Sequence, residues 1–284
     1  MTPALQQALL QLRLEHPLRL TPAQANALGR ATGLNENKLA LALLAQAQRL
    51  ARAPVSGFAV GAIAITGSGH WYLGANLEFA GLALHHAVHA EQSAIGHAAL
   101  HNERRIVKMV VSASPCGHCR QFMQELNQPE LLIILPGEQH TLAALLPHAF
   151  GPADLGISTG MLGAAPATLT SDSPDPVQQA ALTEANHSHA PYSHNQAGVA
   201  LKLTDGRVIT GRYLENAAFN PGLGPMQLAL SQLSLHRAHP EHICQAVLAE
   251  RTTTISQYPG AAQLLAAVSP VPLHQLALSS GNAS

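Results

Sequence analysis

Two short segments carry residues able to hold a metal and move a proton: His-Ala-Glu at His89–Glu91 and Pro-Cys-Gly-His-Cys at Pro115–Cys119. A zinc ion that activates water takes three protein ligands and leaves a fourth position open, and imidazole and thiolate are among its preferred donors. His89, Cys116 and Cys119 supply that number and that chemistry. Zinc held in this way lowers the pKa of a bound water to about 7. A carboxylate within hydrogen-bond reach can take the proton and return it to a reacting group, and Glu91, two residues from His89, stands where it could do so. If Cys116 opens a helix, both thiols lie on one side of its first turn, where the positive helix end favours thiolate. Each segment alone is weak, because His-x-Glu is common on surface helices and Cys-x-x-Cys also serves redox pairs and structural zinc sites. A purely structural site, however, would need a fourth ligand and would have no use for Glu91.

The elements that position these residues alternate in type. Thr21 before Pro22, and Asn35 before Glu36–Leu50, read as helix starts, so residues 1–47 are expected to form a small helical extension. From Phe58 the runs FAVGAIAI and WYLGA, separated by a Gly and Ser turn, predict a hairpin. A helix is expected over Leu84–Leu100, a buried strand over Ile106–Ser112, a helix opened by Cys116, and an apolar strand over Leu131–Leu135. Alternation of this kind predicts an α/β fold with helices on both faces of a sheet.

At 284 residues the chain is long enough for two domains. With 15 Lys and Arg against 16 Asp and Glu, and 4% aromatic residues, it gives no electrostatic reason to expect a nucleic-acid partner, and none is expected. Met1–Leu20 has no basic start leading into an apolar stretch, and the most apolar helical run, Leu39–Ala45, is far shorter than the ~20 residues of a membrane span. A soluble, cytoplasmic protein is expected. Cys116 and Cys119 then read as metal or redox residues, and Cys244 as a buried apolar one. Apart from His89, the 17 histidines are expected at surface or capping positions, with His118 pointing away from the metal.

Residues 151–185, rich at first in Pro, Ser, Thr and Asp, read as a linker between units at 48–150 and 186–284. Beyond it the pattern starts again, with Pro54, Ser56, Gly74, Leu77 and Glu78 matched by Pro191, Ser193, Gly211, Leu214 and Glu215. Aligned through Leu214 and Glu215 with one gap, Pro225, Met226 and Gln227 stand where His89, Ala90 and Glu91 stand in the first copy. Proline cannot bind zinc and glutamine cannot shuttle protons. No cysteine pair follows Ile243, where the corresponding helix is expected near Pro259 and Gly260, so the second copy is expected to be metal-free.

The stretch from Gly57 to Phe122, with SGFAVGA, GANLEF, VHAEQSAI and SPCGHCRQF, resembles the large, two-domain, homodimeric zinc cytidine deaminases of bacteria, and the similarity extends over essentially the whole chain. The resemblance implies a three-layer α/β/α fold with a mixed sheet, duplicated as an active and a degenerate domain. It implies one zinc per chain on His89, Cys116 and Cys119, with Glu91 as proton shuttle. It further implies that cytidine and 2'-deoxycytidine are hydrolysed to the uridines and ammonia in pyrimidine salvage, by attack of a zinc-activated hydroxide at C4. Phe58 would stack on the pyrimidine, and Asn76 and Glu78, in the segment with Leu77, would hold the ribose. A carboxylate in that place would repel a phosphate, which favours a nucleoside over a nucleotide. Asn76 could instead be a turn residue, Glu78 a solvated charge and Phe58 ordinary core. Phe150, in HAFGP, matches a segment that reaches the partner's site. The chain departs from the family at Val55, where tyrosine is common; the second copy keeps Tyr192. The alternatives are a polynucleotide deaminase, which the charge disfavours, a free-base deaminase, which would leave Asn76 and Glu78 without a ribose, and a non-catalytic zinc scaffold, which would not need Glu91.

Overall fold

The computed structural model describes residues 3–11 and 19–280; the parts of the N-terminal extension at 1–2 and 12–18 lie outside them. Helix α1 (Pro3–Gln11) precedes a two-residue strand β1 (Arg19–Leu20). Thr21 caps α2 (Pro22–Thr32) by accepting from the Gln24 N–H, while the Gln24 side chain accepts from the Thr21 N–H. Asn35 caps α3 (Glu36–Gln48) by accepting from the Lys38 N–H. The hairpin forms as β2 (Gly61–Thr66) and β3 (Trp71–Ala75), starting at Gly61 rather than Phe58.

The helix expected from Leu84 begins at Ala90, as α4 (Ala90–Leu100), and Leu84–His86 makes only one 3-10 turn. Val88 exchanges both backbone hydrogen bonds with Leu77, which holds the chain extended up to His89. Strand β4 (Ile106–Val111), α5 (Gly117–Gln124), β5 (Leu132–Leu135), β6 (Glu138–Thr141) and the short α6 (Leu142–Leu145) complete the first unit. Its sheet runs β1-β3-β2-β4-β5-β6 and is mixed, with β4 and β5 parallel and the other neighbours antiparallel. Successive side chains alternate between faces: Ile63, Ile65, Trp71 and Leu73 pack with α1 to α3, and Ala62, Ala64 and Tyr72 pack with α4. The result is the expected three-layer arrangement.

The segment expected as a linker, 151–185, holds strand β7 (Leu169–Thr170) and most of helix α7 (Pro176–Asn186). Asp175 accepts from the Val177 N–H and Pro176 starts the first turn, a cap and proline pair that favours a helix. Strands β8 (Ala197–Leu203) and β9 (Val208–Arg212), helix α8 (Pro225–Leu235), β10 (Ile243–Arg251), α9 (Tyr258–Ala266) and β11 (Leu273–Ser280) follow. The second sheet, β7-β11-β10-β8-β9, repeats the pairing of β5-β4-β2-β3 in its last four strands. Helix α7 packs its Val177, Ala181 and Ala185 on Ala200, Val247 and Ala249, as α3 packs Leu39, Leu43 and Ala47 beneath Ile63. Thus α3, expected as part of an extension, and α7, expected as linker, occupy equivalent layers of the two copies. Cys244, expected in the core, is exposed, because the register of β10 against β8 shifts between Ile243 and Gln245 and turns it outward. No helix among the described residues is long and apolar enough to cross a membrane.

Helices α4 and α8 lie between the sheets and touch through Ser93 Oγ and Ser231 Oγ, 2.8 Å apart. Each helix approaches its own hairpin at a glycine. A Cβ on Gly74 would fall 2.2 Å from the Ala94 nitrogen and 2.5 Å from the Ala90 oxygen, and one on Gly211 would fall 2.4 Å from the Ala229 nitrogen and 2.3 Å from the Pro225 oxygen. The clash is with helix backbone, which cannot turn aside as a side chain can. Gly74→Ala is therefore expected to lower stability by about 3 kcal/mol, read as a drop in the urea midpoint; an unchanged midpoint would show that α4 can move away freely.

Candidate active site

Strands β3 and β4 both pair antiparallel with β2. They therefore run in the same direction, and their C-terminal ends share one edge of the sheet. Helices α4 and α5 both start at that edge, with His89 as N-cap of the first and Cys116 as N-cap of the second, each in extended backbone conformation. His89 Nδ1 lies 3.4 Å from Cys116 Sγ and 3.2 Å from Cys119 Sγ, and the two sulfurs are 3.7 Å apart. A tetrahedral zinc ion requires sulfurs about 3.8 Å apart and nitrogen to sulfur separations of about 3.5 Å. The three atoms therefore fit zinc, and among the described residues they form the one group of three or more His, Cys, Asp or Glu side chains able to hold a metal.

The electrostatics favour ionisation of one sulfur of the pair. Hydrogen bonds from Cys119 and His89 pull the Cys116 thiol down to about 3, while the Cys116 sulfur and burial push the Cys119 thiol up. The bond to Cys116 raises His89, and burial pushes the Glu91 carboxyl above the usual range. Glu91 is 4% exposed and lines, with His89, Cys116, Phe58, Asn76 and Glu78, a cavity of about 270 Å³. His118 stays outside the ligand group, with its ring 5.1 Å from that of His89.

Asn76 Oδ1 accepts from the Val60 N–H and its Nδ2 donates to the Phe58 carbonyl. Glu78 accepts from the Val55 and Ser56 N–H groups and from the Ser56 hydroxyl. Both side chains thus shape the loop 55–60 that carries Phe58, and Glu215 does the same in the second copy by accepting from the Tyr192 and Ser193 N–H groups. Phe58 is 60% exposed, so it is not core. Leu77 is not brought into this cavity: its side chain is buried in the core and its backbone is paired with Val88.

Two supporting residues were not singled out from the sequence. Gln92 accepts from the His89 N–H with Oε1 and donates from Nε2 to the Pro221 carbonyl of the second copy; its place three residues after the N-cap is the signal that could have revealed it. Arg120 donates to the Pro115 and Leu145 carbonyls and so fixes the loop before Cys116.

The second copy corrects the alignment by one residue. Gly224 is the N-cap of α8, and Gln227 accepts from its N–H as Gln92 does from that of His89. The Leu214–Leu223 bridge matches Leu77–Val88. Gly224 therefore stands at His89, Pro225 at Ala90 and Met226 at Glu91, because the loop is two residues shorter rather than one. The consequence is unchanged, since neither glycine nor methionine provides a zinc ligand of this type or a proton carrier, and α9 contains no cysteine.

Comparison with known proteins follows the same division. Profiles of the cytidine and deoxycytidylate deaminase zinc-binding region match residues 35–135 and residues 142–262. The cytidine deaminase of Aeromonas hydrophila subsp. hydrophila is 49% identical over 263 residues, covering 92% of this chain and 90% of that protein. The cytidine deaminase of Salmonella agona is 50% identical over 253 residues, covering 87% and 85%. Among solved structures, a cytidine deaminase from Mycobacterium tuberculosis has 30% identity over 42% of this chain and 99% of that one, with a TM-score of 0.39.

Metal analysis of the purified chain is expected to find one zinc ion, held by His89, Cys116 and Cys119. Cys116→Ala is expected to lose it; retention of full zinc by that variant would place the metal elsewhere.

Proposed function

The chain belongs to the cytidine deaminase family, and from that premise we propose how its own residues carry out the hydrolysis of cytidine to uridine and ammonia. His89 Nδ1, Cys116 Sγ and Cys119 Sγ hold the zinc. Bound there, zinc supplies a Lewis acid that makes water a nucleophile near neutral pH. Glu91 takes a proton from the attacking water and passes it to the ring nitrogen beside C4, then carries the second proton to the departing amino group. The oxygen of water ends on C4 and the nitrogen leaves as ammonia. The observation that carries this reading is the buried Glu91 carboxyl sharing one cavity with His89 and Cys116.

Asn76 and Glu78 keep spare hydrogen-bonding capacity beyond their loop contacts. An amide nitrogen has two N–H groups and each carboxylate oxygen about two lone pairs, so Asn76 Nδ2 has one N–H left and Glu78 Oε1 one lone pair. Those remaining positions hold ribose hydroxyls, with room for 2'-deoxycytidine as well. Phe58, exposed at the cavity wall, stacks on the pyrimidine. Leu77 contributes through its backbone, by setting the path of the chain into His89.

The working form is a homodimer. Exposed Phe58 and Phe150 support it, and the Phe150 loop, tied to α5 through its carbonyl and Gln121 Nε2, enters the partner's site. The first unit begins with α3 and the second with α7. The enzyme works in the cytoplasm, where sulfurs 3.7 Å apart stay reduced for metal.

Glu91→Ala is expected to keep its zinc and to lose turnover by a factor of about 10²–10⁴, followed by the ultraviolet change as cytidine is consumed. A normal rate would remove Glu91 from the proton transfers. The same assay with deoxycytidine, cytosine, cytidine monophosphate and a cytosine-containing oligonucleotide is expected to show conversion of the two nucleosides alone. Activity on cytosine or the oligonucleotide instead would leave the zinc chemistry and overturn the ribose contacts.

A further inference from the structure

The C-terminal end of α5 packs Phe122 and Met123 into the core of its own domain, but the carboxylate at that end is held by the second copy. Glu125, at the C-cap of that helix, is fully buried. Its Oε1 accepts from His189 Nε2 at 2.8 Å and from the Tyr192 hydroxyl at 2.7 Å, and its Oε2 accepts from the Ala217 N–H at 2.8 Å. One turn earlier, Asn216 Nδ2 donates to the Gln121 carbonyl at 2.9 Å. All four donors belong to the second copy. Three come from positions that in the first copy surround the substrate loop: His189 matches Arg52, with the same backbone pairing to Leu214 that Arg52 has with Leu77, and Tyr192 and Ala217 match Val55 and Ala80. The donors are specific to the second copy, since Arg52 and Val55 provide no imidazole or phenol, and the end of α9 offers only Ala266 and Ala267 where α5 has Glu125.

We propose that Glu125 is a positioning residue for the zinc ligands, and that the degenerate domain works as the socket that sets the rotation of α5. This inference rests on the reading that Cys116 and Cys119 hold zinc. Helix α5 has only eight residues, about two turns. It starts at Cys116 and ends at Glu125, so an anchor at one end acts directly on the other. With side-chain atoms about 5 Å from a helix axis, a rotation of about 10° moves a sulfur by about 0.9 Å. Zinc–ligand distances are held to about ±0.2 Å. The helix must therefore be fixed more tightly than packing of Phe122 and Met123 alone requires, and three hydrogen bonds to one buried carboxylate do this.

The test is zinc release from the full-length protein into excess chelating dye, without substrate, at a temperature where every variant is folded. Glu125→Met keeps length but leaves three donors without an acceptor. It is expected to release zinc about 10-fold faster or more, in the range for loss of outer contacts to a metal site, with kcat reduced and KM for cytidine unchanged. Tyr192→Phe, which removes one donor, is expected to fall between it and the parent. Glu125→Gln is expected to recover most of the parent behaviour, because the amide can turn its oxygen to the Ala217 N–H and its nitrogen to Tyr192 and His189. If Glu125→Met does not fold, Tyr192→Phe against the parent decides. Release at the parent rate with only a lowered melting temperature would make Glu125 a merely structural residue and overturn the proposal. Cys116→Ala serves as control: if it keeps zinc, the ligand reading fails, whereas loss of zinc there with parent-like release in the Glu125 and Tyr192 variants rejects the socket alone.

Discussion

Two sulfurs and an imidazole nitrogen lie within 3.7 Å of one another, and the rest of the first domain is arranged around that crowding. Two thiolates at this distance repel by about 4 kcal/mol even at an effective dielectric constant of 20. A helix N-terminus typically offsets about 0.3–1 kcal/mol of unfavourable charge, so the starts of α4 and α5 together offset at most about half of that repulsion. Without a cation the pair keeps a proton, which is why Cys116 is pulled down and Cys119 pushed up. With zinc, both thiolates and His89 become ligands. The fold's part is to bring two helix starts to one sheet edge, and the common direction of β3 and β4 makes that possible.

The second copy shows which features serve the scaffold and which serve the chemistry. It retains the glycine under its helix at Gly211, the glutamine that caps that helix at Gln227, and the carboxylate that braces the preceding loop at Glu215. It lacks the imidazole, the buried acid and the thiols, with Gly224 and Met226 in place of the first two. Glu78 therefore has a structural duty that Glu215 shares, and the ribose contact proposed for it would be laid over that duty.

Much of this was legible in the residues. The ligands and Glu91 were, because few other uses combine His-x-Glu with Pro-Cys-x-x-Cys, and the hairpin and central strands were, because their apolar runs end at clear turns. The beginning of α4 was not, since LALHHAV has helical composition, yet it forms one 3-10 turn and the pairing of Val88 with Leu77 then keeps the chain extended up to His89. Helix α7 was hidden by the Pro, Ser and Asp residues before it, although Asp175 and Pro176 are a recognisable start. The outward turn of Cys244 depends on a register shift in β10. Glu125 had no local signal at all: its partners lie 64, 67 and 92 residues away.

The two copies also hold each other by a reciprocal exchange. Gln92 caps His89 and reaches across to the Pro221 carbonyl, while Gln227 caps Gly224 and reaches back to the His86 carbonyl. Pro221 and His86 are equivalent positions, each two residues before the bridge residue Leu223 or Val88. Ser93 meets Ser231 on one side of the same crossing, and Leu228, the equivalent of Ser93, fills the space beside Gly96 on the other. Residues Ala90 to Ala99 of α4 are all buried, which a helix covered by its own sheet alone would not achieve, since one stripe would face solvent. A first domain without the second would expose that stripe and release the glutamine that spans from His89 to the Pro221 carbonyl. The second copy is thus required by the burial of the helix that carries Glu91, although it has glycine and methionine where the first copy has His89 and Glu91.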